Sequence, residues 1–210
     1  MTTDAIVFVV DDDESMRKAL ARLIGSVGLE VQTFPSPAAF LAHPRPDRPA
    51  CVVLDLRMPG TSGLAVQEEL ARAGVELPIL FLTGHADVST SVRAMKAGAV
   101  DFLEKPLHDQ ALLDAIHRAL GRARELWGAR AEREGIARRV VTLTPREREV
   151  LALVVAGLPN KVVADRLGAS DKTIKVHRAR VMQKMHADSL AHLVRMAQVV
   201  GIGARRTGAT

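Results

Sequence analysis

Short apolar runs at regular intervals constrain the first half of this chain more than any other feature. Residues 5–10 read AIVFVV, residues 51–55 CVVLD and residues 78–83 PILFLT. Runs this continuous suit strands buried on both faces of a sheet. Glu30–Phe34 and Val100–Leu103 have strand composition and bring the set to five. Between the runs the period becomes helical. Met16, Leu20, Leu23 and Val27 align within Glu14–Val27, and Leu64, Val66 and Leu70 are the apolar positions of Ser62–Ala73. Ser36–Ala42 reads as a short helix, Asp87–Ala97 as another stopped by Gly98, and one more begins near Asp109. This alternation predicts a five-stranded parallel sheet with helices on both faces, an α/β doubly wound, flavodoxin-like order.

In such sheets ligands bind beyond the carboxyl ends of the strands. The first strand ends in Asp11-Asp12-Asp13, the third in Asp55 and the fourth in Thr83, and the fifth runs on to Lys105-Pro106. Singly, each has an ordinary use: an aspartate caps a helix, a threonine closes a turn, a lysine is solvated. Jointly they bring carboxylates, a hydroxyl and an ammonium to one edge. Clustered carboxylates repel one another and raise their pKa values. A hard dication, Mg²⁺ or Mn²⁺, relieves that conflict and leaves room for phosphate oxygens.

Charge divides the chain. Residues 1–122 carry 12 basic and 16 acidic side chains, and residues 123–210 carry 17 and 8. An acidic half is therefore joined to a basic half suited to a phosphate-rich polymer, although a solvated basic surface has the same composition. Leu112, Ile116 and Leu120 recur every four residues, but beyond Gly121 the apolar pattern thins to Leu126 and Trp127. The expected division is a first domain over residues 4–122, a helical linker over 123–141 and a second domain over 142–203.

The second domain reads as four helices. Thr144-Pro145-Arg146-Glu147 is a capping box with proline at the first helical position, followed by the stripe Val150, Leu151, Val154 and Val155. Asn160–Leu167 is a short helix with Val162, Val163 and Leu167 inward. Ser170 or Asp171 opens the helix Lys172–Met185, whose Ile174, Val181 and Met185 share one face. Ser189–Val200 follows, with Leu190, Leu193, Val194 and Ala197 apolar. From Ser170 to Met185 there are five basic side chains against Asp171 alone. Two short helices joined by the tight Leu167-Gly168-Ala169 turn, the second one basic, match a helix-turn-helix. His177 has no Cys or His at ligand spacing, so it reads as structural or phosphate-contacting.

VVDDDE (Val9–Glu14), LDLRMPGTSG (Leu54–Gly63), FLTGHAD (Phe81–Asp87) and AMKAGAVDFLEKP (Ala94–Pro106) together resemble a response-regulator receiver domain. Leu143–Met185 resembles the LuxR-type helix-turn-helix. The whole chain is similar to the FixJ/NarL family, and HLVRMA (His192–Ala197) brings it nearest the FixJ branch. The resemblance implies a two-component phosphorelay protein: a DNA-binding transcription regulator that accepts a phosphoryl group on Asp55 from a sensor histidine kinase. It implies metal binding by Asp11, Asp12, Asp55 and the Arg57 backbone carbonyl. Thr83 and Lys105 would hold phosphoryl oxygens, and Phe102 would be the aromatic switch. Lys175, Val176 and Ala179 would face the major groove of double-stranded DNA. Lys161, Lys172, Thr173, Arg178 and Arg180 complete the expected DNA contacts. The phosphorylated form would be a homodimer, and RNA polymerase is a further partner. Many members carry a basic residue where Ala179 stands, and the FixJ branch an acidic one where Lys175 stands. The preferred DNA sequence therefore does not carry over. His85, two residues beyond Thr83, reads either as a solvated loop histidine or as a residue that tunes the lifetime of the phosphate.

No apolar run suits a bilayer span, and residues 1–4 lack the pattern of a signal peptide, so no membrane partner and a cytoplasmic location are expected. The single cysteine, Cys51, precludes an intrachain disulfide and reads as a small buried hydrophobe. Two other readings compete. One is an Mg²⁺-dependent phosphohydrolase with an aspartate nucleophile, for which the chain offers no substrate-covering cap. The other is a constitutive DNA binder whose receiver only dimerises. The expectation is that the chain is not an enzyme beyond its own phosphotransfer and autodephosphorylation.

Overall fold

A computed structural model describes residues 4–84 and 88–203. The chain divides into two compact units, residues 1–128 and 129–210.

The first unit alternates without exception: β1 (Ile6–Val10), α1 (Glu14–Ser26), β2 (Glu30–Phe34), α2 (Pro37–Ala42), β3 (Ala50–Asp55), α3 (Gly63–Arg72), β4 (Ile79–Thr83), α4 (Val88–Lys96), β5 (Asp101–Glu104), then α5 (Asp109–Val141). All strand pairs are parallel, in the order β2-β1-β3-β4-β5. The doubly wound sheet is as its alternation predicts. Successive side chains of a strand point to opposite faces, so β1 feeds two cores. Ile6, Phe8 and Val10 pack with Phe40 of α2, Leu64, Val66 and Leu70 of α3 and Ala94 of α4. Val7 and Val9 pack with Leu20 and Ile24 of α1 and with Leu112, Ile116 and Leu120 of α5. Burying each large aliphatic side chain contributes about 1.5–3 kcal/mol. Ile24, not Val27, completes the inner face of α1. Val27 is the C-cap, where the helical path ends, and it stays 45 % exposed.

The second unit holds α6 (Pro145–Val155), α7 (Asn160–Leu167), α8 (Asp171–Met185) and α9 (Leu190–Val199). Thr144, Ser170 and Ser189 each cap the following helix through the side-chain oxygen, and Thr144 with Glu147 forms the expected capping box. Their core joins Val150, Leu151 and Val154 to Val163, Ile174, Val181, Met185 and Leu193, and takes Ile136 from the last turns of α5. Val162, expected inward, lies at the surface, as does Leu190. Val163 turns toward the core as expected, and Ala164, Leu193, Met196 and Ala197 are buried with it. None of the helices is long and apolar enough to cross a membrane, among the described residues.

Candidate functional sites

The edge beyond the strands brings together the residues their positions suggested. Asp11 directly follows β1 and is fully buried; Asp55 ends β3 and is 8 % exposed; Thr83 ends β4 and is fully buried. Parallel register sets Thr83 beside Glu104, and the next amide, that of Lys105, donates to the Thr83 carbonyl at 2.7 Å. Lys105 is thereby delivered to the pocket. Its Nζ donates to Asp55 Oδ2 at 2.8 Å and to Asp11 Oδ2 at 2.9 Å.

Local backbone groups orient both acids. The Asp13 amide donates to Asp11 Oδ1 at 2.8 Å, and the Arg57 amide donates to Asp55 Oδ1 at 3.1 Å. Arg17, which sequence reasoning gave no role, braces the same loop by donating to the Asp11 carbonyl at 2.7 Å. Asp13 itself accepts from the Ser15 and Met16 amides as N-cap of α1. The pKa of Asp11 is raised, chiefly by burial, while Lys105 and the Asp13 amide oppose the shift. Mutual repulsion with Asp55, the expected cause, is the smallest contributor. Burial pushes Lys105 down, but hydrogen bonds to Asp55 and Asp11 and their charges outweigh it and raise its pKa.

Asp11, Asp12 and Asp55 each offer a carboxylate oxygen, all within 4.8 Å of one another. These hard oxygen donors fit a cation such as Mg²⁺. A carboxylate oxygen bonded once still has a lone pair to give, so the hydrogen bonds of Asp11 and Asp55 do not spend the site.

Two further residues shape the pocket. The Gly63 amide donates to the Leu56 carbonyl at 3.0 Å. A Cβ on Gly63 would lie 2.7 Å from the Asp55 carbonyl oxygen and 3.0 Å from Phe81 Cε1, so only glycine lets α3 start this close. The sequence signal was a glycine just after the N-cap Ser62. Phe102 is half-buried and stacks obliquely on Phe81, with ring centroids 6.2 Å apart. His85 lies outside the described residues.

In the second unit, Ile174, Val181 and Met185 are buried, which turns the opposite face of α8 outward. Lys172, Thr173, Lys175, Val176, Ala179 and Arg180 are exposed there and along its flanks, as is Lys161 on α7. Lys175 pairs with Asp171 at 2.8 Å. Arg178 differs: it is half-buried, and its Nη1 donates to Asn160 Oδ1 of α7 at 3.1 Å. The His177 Nδ1 is buried without a hydrogen-bond partner. Behind α8, the buried Glu147 accepts from Lys184 at 2.7 Å, and this pairing holds the Glu147 pKa low.

Two family models match: residues 7–117 as a response regulator receiver domain and residues 141–197 as bacterial regulatory proteins of the luxR family. Nodulation protein W of Bradyrhizobium diazoefficiens is 50 % identical over 209 residues, covering 100 % of this chain and 92 % of that protein. Transcriptional regulatory protein FixJ of Rhizobium meliloti is 47 % identical, covering 96 % and 98 %. Among solved structures, response regulator StyR superposes with a TM-score of 0.81 at 46 % identity, covering 93 % of this chain and 99 % of that one. Full-length FixJ from B. japonicum gives a TM-score of 0.55 at 42 % identity, covering 96 % and 98 %. With a receiver's acid pocket in one unit and a LuxR-type basic helix in the other, the chain belongs to the FixJ-type two-component response regulators, transcription regulators that join a receiver to a DNA-binding domain.

Proposed function

We propose that Asp55 is the phosphoacceptor and that its phosphorylation by a sensor histidine kinase raises the affinity of the second unit for double-stranded DNA. The observation that carries this reading is the Lys105 ammonium bridging Asp55 and Asp11 inside a pocket of three carboxylates. A carboxylate oxygen of Asp55 attacks the phosphorus of phosphohistidine; the O–P bond forms as the N–P bond breaks, and the imidazole leaves with its electron pair. Lys105 moves from the carboxylates to an equatorial phosphoryl oxygen, exchanging one anion for another at little cost. The buried Thr83 hydroxyl donates to a second phosphoryl oxygen. Asp11, Asp12, Asp55 and the Arg57 carbonyl would hold Mg²⁺ or Mn²⁺, which supplies positive charge against the phosphoryl oxygens.

The consequence is a population shift. As Thr83 turns toward the phosphate, Phe102 follows into the space it vacates, and the surface made by α4, β5 and α5 changes shape. Phosphorylation then favours a homodimer that sets two α8 helices on half-sites about one helical turn apart. Lys175, Val176 and Ala179 read base edges. Lys161, Lys172, Thr173, Arg178 and Arg180 contact phosphates, which orient rather than specify. The functional division is a receiver over residues 4–122, a helical linker over 123–141 and a DNA reader over 142–203. RNA polymerase is the partner through which bound protein changes transcription, and the cytoplasm is where these partners meet.

Phosphodonor-dependent DNA binding by the Asp55→Asn variant decides the matter. Acetyl phosphate is expected to tighten DNA binding by the wild type and to leave the variant unchanged. Equal stimulation of both would refute the route through Asp55. Equal DNA affinity of the wild type with and without phosphodonor would favour a constitutive binder.

A further inference from the structure

We propose that Asn160 is a positioning residue for DNA binding: it aims the Arg178 guanidinium at a backbone phosphate. This rests on Arg178 being a phosphate contact, as proposed above. The geometry explains why Arg178 needs a guide. At 100° per residue, Arg178 and Arg180 lie about 160° apart around α8. Arg178 stands only ~40° from the Ile174 direction, on the edge of the buried face, and the outward positions Lys172, Val176 and Ala179 turn away from it. Its half-burial follows. A long, rotamer-rich side chain leaving from such an edge has many ways to miss a phosphate, and ordering it costs free energy at the moment of binding.

Asn160 removes that freedom beforehand. Its Oδ1 accepts from Arg178 Nη1 at 3.1 Å, across the helix-turn-helix and 18 residues away in sequence. The oxygen has no capping duty on its own helix, because the N-cap position of α7 is Pro159, not Asn160. A guanidinium has five N–H donors in a fixed plane. Holding one restricts where the guanidinium can go and leaves the others for a phosphate. Asn160 opens α7, so the guanidinium sits at that helix's first turn, next to the exposed Lys161. A neutral amide is well suited to this work. A carboxylate would hold Arg178 more strongly but would cancel the charge the phosphate must meet.

The test is a double-mutant cycle on the full chain, with every variant treated with the same acetyl phosphate. Binding to a generic duplex of about 30 base pairs, long enough for two half-sites, is measured over a range of salt concentrations. Arg178→Ala is expected to weaken binding about tenfold and to reduce the slope of log affinity against log salt by about one for each phosphate no longer neutralised. Asn160→Ala should weaken binding about threefold to tenfold and flatten the slope in the same sense. In the Arg178→Ala background, the same Asn160 change should have less than about a twofold effect. If Arg178→Ala leaves affinity and slope intact, the phosphate contact itself is refuted and the guide with it. If Arg178→Ala acts but Asn160→Ala lowers only the melting temperature, at wild-type affinity and slope, Asn160 is structural and the inference fails. Equal losses from Asn160→Ala with and without Arg178 would overturn it as well.

Discussion

Lys105 Nζ lies 2.8 Å from Asp55 Oδ2 although 50 residues separate them in sequence. The same ammonium neutralises the fully buried Asp11. Replacing Lys105 by Met would leave a buried carboxylate without its cation and raise the Asp11 pKa further. We predict a loss of about 2 kcal/mol at neutral pH in the presence of chelator, below the full penalty of a broken buried pair because Lys105 is partly solvated. Added Mg²⁺ should recover part of it. Denaturant midpoints in chelator and in Mg²⁺ measure both effects, and matching midpoints for variant and wild type would contradict the prediction.

Gly63→Ala places a methyl group 2.7 Å from the Asp55 carbonyl oxygen, so the backbone there must move. The expected cost is about 1–3 kcal/mol, as for an overpacked core. Because the displaced atom belongs to Asp55, phosphorylation by acetyl phosphate should slow as well. Unchanged rates in a variant of lowered stability would separate packing from site geometry.

Glu147 is buried with Lys184 on its carboxylate, and its pKa is depressed below the ordinary 4.5. The contribution is therefore present above 4.5 and is lost as pH falls through the lower folded value. Glu147→Gln should destabilise the second unit by about 1–2 kcal/mol at neutral pH, since Lys184 loses its anion but stays partly solvated. The difference from wild type should shrink toward zero in acid. Thermal melts across that range follow the convergence; a constant offset at every pH would exclude the ion pair as its source.

Asp171 is the only acid of α8 and occupies Lys175 at 2.8 Å. Asp171→Ala frees that ammonium and removes a charge that repels phosphate. Affinity for DNA is predicted to rise about threefold, with a steeper salt dependence. The melting temperature should fall slightly, because an acid in the first turn favours the helix. Weaker binding would mean that Lys175 needs its partner in order to be placed.

Much of this protein could be read from order along the chain, because the forces involved act between near neighbours. Strand runs and helical periods announced the doubly wound sheet, and the Thr144–Glu147 capping box is a local exchange of hydrogen bonds that four consecutive residues suffice to specify. Position at strand ends also singled out Asp11, Asp55, Thr83 and Lys105, since topology carries all such ends to one edge. What only the tertiary structure decided depends on distant partners. It chose Ile24 over Val27 for the core, demanded a glycine at position 63, and gave Asn160 to Arg178 and Glu147 to Lys184. Side-chain contacts across 18 or 37 residues leave no period in a sequence, so they become visible only when packing has set the helices in place.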